Sequence, residues 1–204
     1  MDTPTDDHAL GPDQSSLAGA NAVAAWARSA CEMVEQEDVV RPVVIAIDGP
    51  ACAGKTSLAA LTAELLDDAP VVAMDDLYPG WDGLADGVRL VADKVLGPMS
   101  HGERAWYERY DWVAQAGAET VIVRRHRYLV VEGVGSSAGP ASPYADVRVW
   151  VDAPVDVRRE RADARTAGTQ GGFDGHWQHW ADQEAVLFAA DGTMEHAHLR
   201  IDTA

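Results

Sequence analysis

The chain is short of positive charge. Its 204 residues carry 16 Lys and Arg against 33 Asp and Glu, a formal net charge of −17. A protein that holds nucleic acid needs a basic footprint, and one that rests on anionic lipid needs a basic face; neither class fits this balance. Cysteine is nearly absent too. Cys31 and Cys52 are the only two, too few for a disulfide framework or for a zinc site of their own, and a reducing cytoplasm is the expected compartment. No apolar run approaches the 18 residues that a membrane span needs. The first residues, Met1-Asp2-Thr3-Pro4-Thr5-Asp6-Asp7, lack the basic start of a signal peptide.

Hydrophobic residues make up 47% of the chain, enough for a sizeable core, and the length suits one domain. Residues 1–18 are rich in Asp, Pro, Gly and Ser and read as a flexible tail, leaving 19–204 as the domain. A helix is expected over 21–37. Short β-branched runs follow: 43–47, 71–74, 119–123, 128–132 and 146–152, with a closing strand over 198–202. Helices are expected over 55–67, over 88–96 with a stop at Gly97-Pro98, from 153 onward, and over 176–190. The stretch 77–87 reads as a loop, and 168–175 as a glycine-rich one. Strands alternating with helices predict a three-layer α/β fold around a mostly parallel sheet.

Between the first strand and the helix after it stands Gly49-Pro50-Ala51-Cys52-Ala53-Gly54-Lys55-Thr56, followed by Ser57. This is the spacing G-x-x-x-x-G-K-[ST] in the strand-to-helix setting it requires. Small residues let backbone N–H groups curl around an anion, and the helix points its positive end at the same place. Lys55 is expected on the β- and γ-phosphates of ATP, and the Thr56 hydroxyl on Mg²⁺. Cys52 lies near Lys55 and a helix start, which would lower its thiol pKa.

Further absences narrow the class. No Asn-Lys-x-Asp guanine reader exists, and the strand Leu129-Val130-Val131-Glu132 ends in a single carboxylate rather than Asp-Glu. A GTP switch and a motor-like ATPase fit less well than a kinase of small molecules. A kinase must orient or deprotonate an acceptor hydroxyl, and ligands of open parallel sheets sit beyond the carboxyl ends of strands. Asp75 and Asp76 close the second strand, so one of them is the candidate base; as a bland alternative, the pair merely caps a turn. Arg158, Arg161 and Arg165 share one face of the helix after Pro154, suited either to phosphate charge or to a solvated surface. Trp81, Tyr107, Tyr110 and Trp112 would either sandwich a flat group or serve as core. Trp177 and Trp180 read as packing, and His176 and His179 lack a third ligand for a metal.

In order along the chain, Ile47-Asp48-Gly49 through Ser57, Met74-Asp75-Asp76-Leu77-Tyr78, Tyr110-Asp111-Trp112, Glu119-Thr120-Val121 through Val131-Glu132-Gly133, and Arg158-Arg159-Glu160-Arg161 through Arg165 resemble the uridine kinase group of phosphate-loop nucleoside kinases. The resemblance covers about residues 43–166. It implies a phosphoryl transfer from ATP to a small-molecule hydroxyl, namely the 5′-hydroxyl of uridine or cytidine. It implies Asp75 as base, Glu132 near Mg²⁺, Arg161 and Arg165 as lid arginines in a lid of about 158–175, and Tyr78 and Tyr110-Asp111-Trp112 about the nucleoside. Trp81 and Asp82 fall in the acceptor loop, and either Asp82 or Asp86 would hold ribose hydroxyls. The sequence departs from the pattern in Leu77, where an aromatic is usual, in Thr166 after Arg165, and in Val113-Ala114-Gln115, where a base-contacting His is usual and Gln115 stands in. These departures leave open a kinase of an unusual nucleoside or of a non-nucleoside alcohol. A non-catalytic ATP-binding module is a further alternative, against which the retention of Asp75, Glu132 and two lid arginines speaks. Homo-oligomerisation is left open.

Overall fold

The computed structural model describes residues 14–34, 40–166, 173 and 175–203. Its centre is a five-stranded parallel sheet in the order β2-β5-β1-β6-β7. The strands are β1 (Val43–Asp48), β2 (Val71–Ala73), β5 (Tyr128–Glu132), β6 (Val147–Asp152) and β7 (Leu199–Asp202). β1 and β5 are buried at every position, as expected for strands covered on both faces.

Alternation along those strands builds two cores. Val43, Ile45, Ile47 and Val130 point to one side, where they meet α1 (Gln14–Val34) and α2 (Lys55–Leu65). Val44, Leu129 and Val131 point to the other, towards Val88, Val91, Val95 and Trp180. Those residues belong to α3 (Leu84–Val91), the wide turn after it, and α6 (Trp177–Asp191). Side chains that alternate at period two thus produce the three-layer α/β fold that the sequence predicts.

Helix α1 begins at Gln14, so residues 14–18 of the expected tail are helical; residues 1–13 lie outside the described residues. The cause is a stripe of small side chains. Ala20, Val23, Ala24, Ala27, Ala30, Cys31 and Val34 recur at helical spacing and are all buried. The helix ends at Val34 rather than at residue 37.

Gly97-Pro98 does not stop the helix before it. α3 starts at Leu84, inside the expected loop, and runs into a π turn (Ala92–Leu96) and then α4 (Gly97–Ser100). The Gly97 N–H reaches back to Ala92 O, one residue farther than in an α-helix. The wider turn places Pro98 in the first turn of α4, where a missing N–H costs nothing.

A second, two-stranded sheet stands apart from the first. β3 (Trp106–Asp111) and β4 (Ala116–Ile122) form an antiparallel hairpin, with an irregularity between Glu108 and Tyr110. The strand expected over 119–123 is the second half of this hairpin; β3 itself was not expected. α5 (Val155–Thr166) follows β6 as expected. Of the expected lid, the structure describes 158–166, 173 and 175. Among the described residues, no helix is long and apolar enough to cross a membrane.

Candidate active site

Neighbouring strands deliver the site. β2, β5 and β1 are adjacent and parallel, so their carboxyl ends bring Asp75, Glu132 and the loop after Asp48 to one edge. They open on a cavity of about 260 Å³. A larger cavity, about 540 Å³, opens at the opposite end of the strands, near Val43 and Arg127, away from this chemistry.

The loop is held by backbone geometry. Gly49 has φ +132°, and a Cβ there would stand 2.0 Å from Val151 O on β6. Neither the conformation nor the space admits another residue. Gly54 (φ +97°) and Cys52 (φ +61°) also take left-handed conformations. Gly54, at the start of α2, has no side chain to cap it, which leaves the helix's first N–H groups as donors for an anion. Lys55 lies buried across the loop, its Nζ donating to Pro50 O at 2.7 Å. Thr56 Oγ1 donates to Glu132 Oε1 at 3.2 Å. Ala51, Cys52, Lys55 and Thr56 line the cavity; Gly49, Ala53, Gly54 and Ser57 shape the loop without lining it. Burial pushes the Cys52 thiol up, and Arg165 and Lys55 only partly offset it. The thiol is therefore not activated as the sequence position suggested.

Two carboxylates outside the expected set organise the loop. Asp48 is fully buried and accepts four hydrogen bonds: from the N–H groups of Gly49 (2.7 Å), Gly135 (2.8 Å) and Ser137 (2.9 Å), and from Ser137 Oγ (2.9 Å). Burial pushes its pKa up while those donors pull it down. It joins the end of β1 to the turn after β5. Glu184, on α6, accepts the Ala51 N–H at 2.8 Å. In the sequence Asp48 is marked by its place beside the first loop glycine, whereas a Glu in a distant helix is indistinguishable from a solvated residue.

Asp75 and Asp76 occupy a tight 3₁₀ turn after β2. Their surroundings separate them. Asp76 accepts from Tyr107 OH at 3.2 Å. The Asp75 carboxylate accepts no hydrogen bond among the described residues, while Trp112 Nε1 holds its backbone carbonyl at 2.9 Å. Asp75 is walled by protein yet open to solvent through the cavity. Burial raises its pKa, and Lys55 and then Arg165 draw it back. Glu132 is raised by burial and further by Asp75, with Lys55 and Thr56 opposing.

The far wall is aromatic. Tyr78, Trp81, Tyr110, Trp112, Phe173 and Trp180 line it. Trp81 is its hub, 4.9 Å from Trp112, 5.1 Å from Phe173 and 5.8 Å from Trp180 between ring centroids, with His176 stacked on it at 4.5 Å. The Tyr78 hydroxyl is engaged with Val134 O at 2.7 Å. Arg109, not singled out in the sequence, also lines the cavity and forms a two-pronged pair with Glu119 at 2.7 and 3.0 Å.

Three expected substrate residues lie elsewhere. Asp111 Oδ1 accepts the N–H groups of Val113 (2.8 Å) and Ala114 (2.9 Å), so it caps the hairpin turn. Gln115 sits exposed in that turn with φ +52°. Asp82 is 92% exposed and pairs with His179 Nε2 at 2.6 Å. The arginines divide as well. Arg165 lines the cavity, its guanidinium 4.0 Å from Cys52 Sγ. Arg161 turns instead to the outer side of the loop, bonding Thr203 Oγ1 at 3.0 Å, the Thr203 carbonyl, and Cys52 O at 3.4 Å.

With this geometry in place, the chain can be set beside solved structures. It superimposes on a possible uridine kinase from Bacillus stearothermophilus with a TM-score of 0.59 and 17% identity, over 87% of this chain and 98% of the other. It superimposes on a protein provisionally called a fructose transport system kinase from Silicibacter sp. TM1040 with a TM-score of 0.51 and 21% identity, over 88% and 97%. What the three share is the three-layer α/β fold around a mostly parallel sheet. No family model matches the chain, and no curated protein does either. At such identities the likeness establishes the architecture alone.

Proposed function

We propose that the chain is an ATP-dependent small-molecule kinase. The observation that carries this reading is the placement of Asp75. Its carboxylate faces the same cavity as Lys55, Thr56 and Arg165, and among the described residues it is the one carboxylate of its turn without a hydrogen-bond donor. Mere nucleotide binding has no use for such a group; a transfer to a hydroxyl does.

In this reading the loop's N–H groups and Lys55 hold the triphosphate of ATP. The acceptor oxygen attacks the γ-phosphorus, the bond to the ADP oxygen breaks, and the hydroxyl proton passes to Asp75. Arg165 lies where it can meet charge on the transferred oxygens. Thr56 and Glu132, whose side-chain oxygens lie 3.2 Å apart, would hold a Mg²⁺ ion here. That ion would neutralise charge on the β- and γ-phosphates.

The acceptor we favour is the 5′-hydroxyl of a pyrimidine nucleoside, uridine or cytidine, whose flat base suits the Trp81–Trp112 wall. The likeness to a uridine kinase fold supports it. A second reading, a non-nucleoside alcohol, is favoured by one observation: Asp111 and Gln115, which would read a base edge, are in the hairpin turn and away from the cavity.

The test is ADP release from Mg-ATP across a panel of nucleosides, sugars and amino alcohols. Stimulation by uridine or cytidine is expected. Stimulation by another alcohol alone keeps the kinase and removes the pyrimidine. ATP binding without turnover on any acceptor would sink the enzymatic reading in favour of an ATP-binding module.

A further inference from the structure

Glu184 is a buried carboxylate that the proposed transfer does not use. Burying a carboxylate is costly unless it is paired and hydrogen-bonded. Its partners are specific: Oε1 accepts the Ala51 N–H at 2.8 Å, and the cations facing it are Lys55, on the loop, and Arg158, on α5. Arg158 Nη1 in turn reaches the Ala51 carbonyl at 3.4 Å. The two polar groups of one loop residue are thus taken from opposite sides, the N–H by an acid of α6 and the C=O by a base of α5. The next residue, Cys52, takes a left-handed conformation that a side chain disfavours. Such a conformation persists only where the neighbouring chain is held.

We infer that Glu184 is a positioning residue for the phosphate loop, fixing Ala51 so that the loop keeps its phosphate-receiving shape, with reach rather than charge as the working property. The inference rests on the kinase reading only in taking this loop as the nucleotide site. Helix α6 suits the task because it is anchored to the acceptor side as well: Gln183 Nε2 donates to Trp81 O at 2.8 Å, and Trp180 lines the cavity.

Two conservative variants separate reach from charge. Glu184→Gln keeps the acceptor oxygen in place and removes the charge. Glu184→Asp keeps the charge and withdraws the oxygen by one methylene. Mg-ATP affinity by calorimetry should stay within about threefold of the parent in E184Q and weaken about tenfold in E184D, with similar thermal midpoints. An equal loss in both, or a loss in E184Q alone, would overturn the inference, as would an unchanged E184D. Loop shape has its own readout. Cys52 is buried, and its alkylation, mapped by peptide mass, should accelerate in E184D and not in E184Q; equal rates would count against Glu184. That readout needs no nucleotide. A parent chain that binds no ATP would therefore end the kinase reading while the alkylation rates still decide the role of Glu184.

Discussion

Ala51, Cys52, Lys55 and Thr56 reach the cavity from one unbroken stretch of chain, whereas Tyr78, Trp81, Tyr110, Trp112, Phe173 and Trp180 reach it from several separate ones. The proposed phosphate wall is made of backbone conformation and is crowded: Gly49 has no room for a methyl group, and Lys55 is buried. The proposed acceptor wall is made of side chains leaning on one another, with ring centroids 4.9 to 5.8 Å apart around Trp81. Backbone cradles bind what all nucleotides share. Side-chain walls decide which acceptor fits, and they can be rebuilt one residue at a time. Damage to the two walls should therefore look different.

The largest effect is expected on the phosphate wall. Gly49→Ala forces a Cβ to within 2.0 Å of Val151 O in a left-handed backbone. ATP binding, followed by calorimetry, should fall below detection, with a lowered thermal midpoint. Retained affinity would mean that β6 yields and that the loop is softer than its contacts imply.

Between the walls stands Asp75, and its neighbour supplies the contrast. Asp75→Asn should lower turnover by about 10²- to 10⁴-fold, the usual worth of a general base, while ATP affinity is kept. Asp76→Asn, which only weakens the bond from Tyr107, should change turnover far less. Equal losses in the two variants would dissolve the distinction drawn between them.

The arginines of α5 sharpen the comparison. Arg165 lines the cavity, so Arg165→Ala should cost turnover, about a hundredfold if it meets the transferred group. Arg161 holds Thr203, beyond β7, to the loop carbonyl of Cys52. Arg161→Ala should show first as a lower thermal midpoint. The reverse pattern, a stable R161A with lost turnover, would return Arg161 to the phosphates, where the sequence resemblance put it.

That division also marks how far the sequence was legible. The loop, β1, β2, β5, β6 and the approach of Asp75 and Glu132 were readable because each depends on neighbours along the chain and on adjacency in a parallel sheet. Residues whose role depends on distant partners were not. Arg161 and Arg165 share a helix face, and only the position of Thr203 separates them. Asp111 looks like a substrate ligand and is a turn cap. Glu184 carries no local mark at all. Strand β3 was missed because Trp106-Tyr107-Glu108-Arg109-Tyr110 sets Tyr107 against Asp76 while Trp106 and Glu108 face solvent, and among the described residues it pairs only with the strand that follows it.

The smallest expected effect lies in pH dependence. Burial raises the pKa of Asp75 above its ordinary 3.8. A base must be ionised to accept a proton, so the acid limb of kcat/KM should fall at a higher pH than an ordinary carboxylate gives, and D75N should remove that limb from its residual rate. Stability moves the opposite way. Between 3.8 and the raised value the folded chain binds this proton more tightly than the unfolded one, so Asp75's contribution is greatest at acid pH and is lost as pH rises through the folded pKa. At neutral pH the parent therefore carries a partly desolvated charge, walled by protein though open to the cavity, that D75N lacks. The variant's thermal midpoint should match or exceed the parent's at pH 7, with the gap closing as the pH falls towards 3.8. A D75N protein less stable than its parent at neutral pH would mean that the ionised carboxylate is held by more than Lys55 and Arg165, and that Asp75 is part of the scaffold of the cleft.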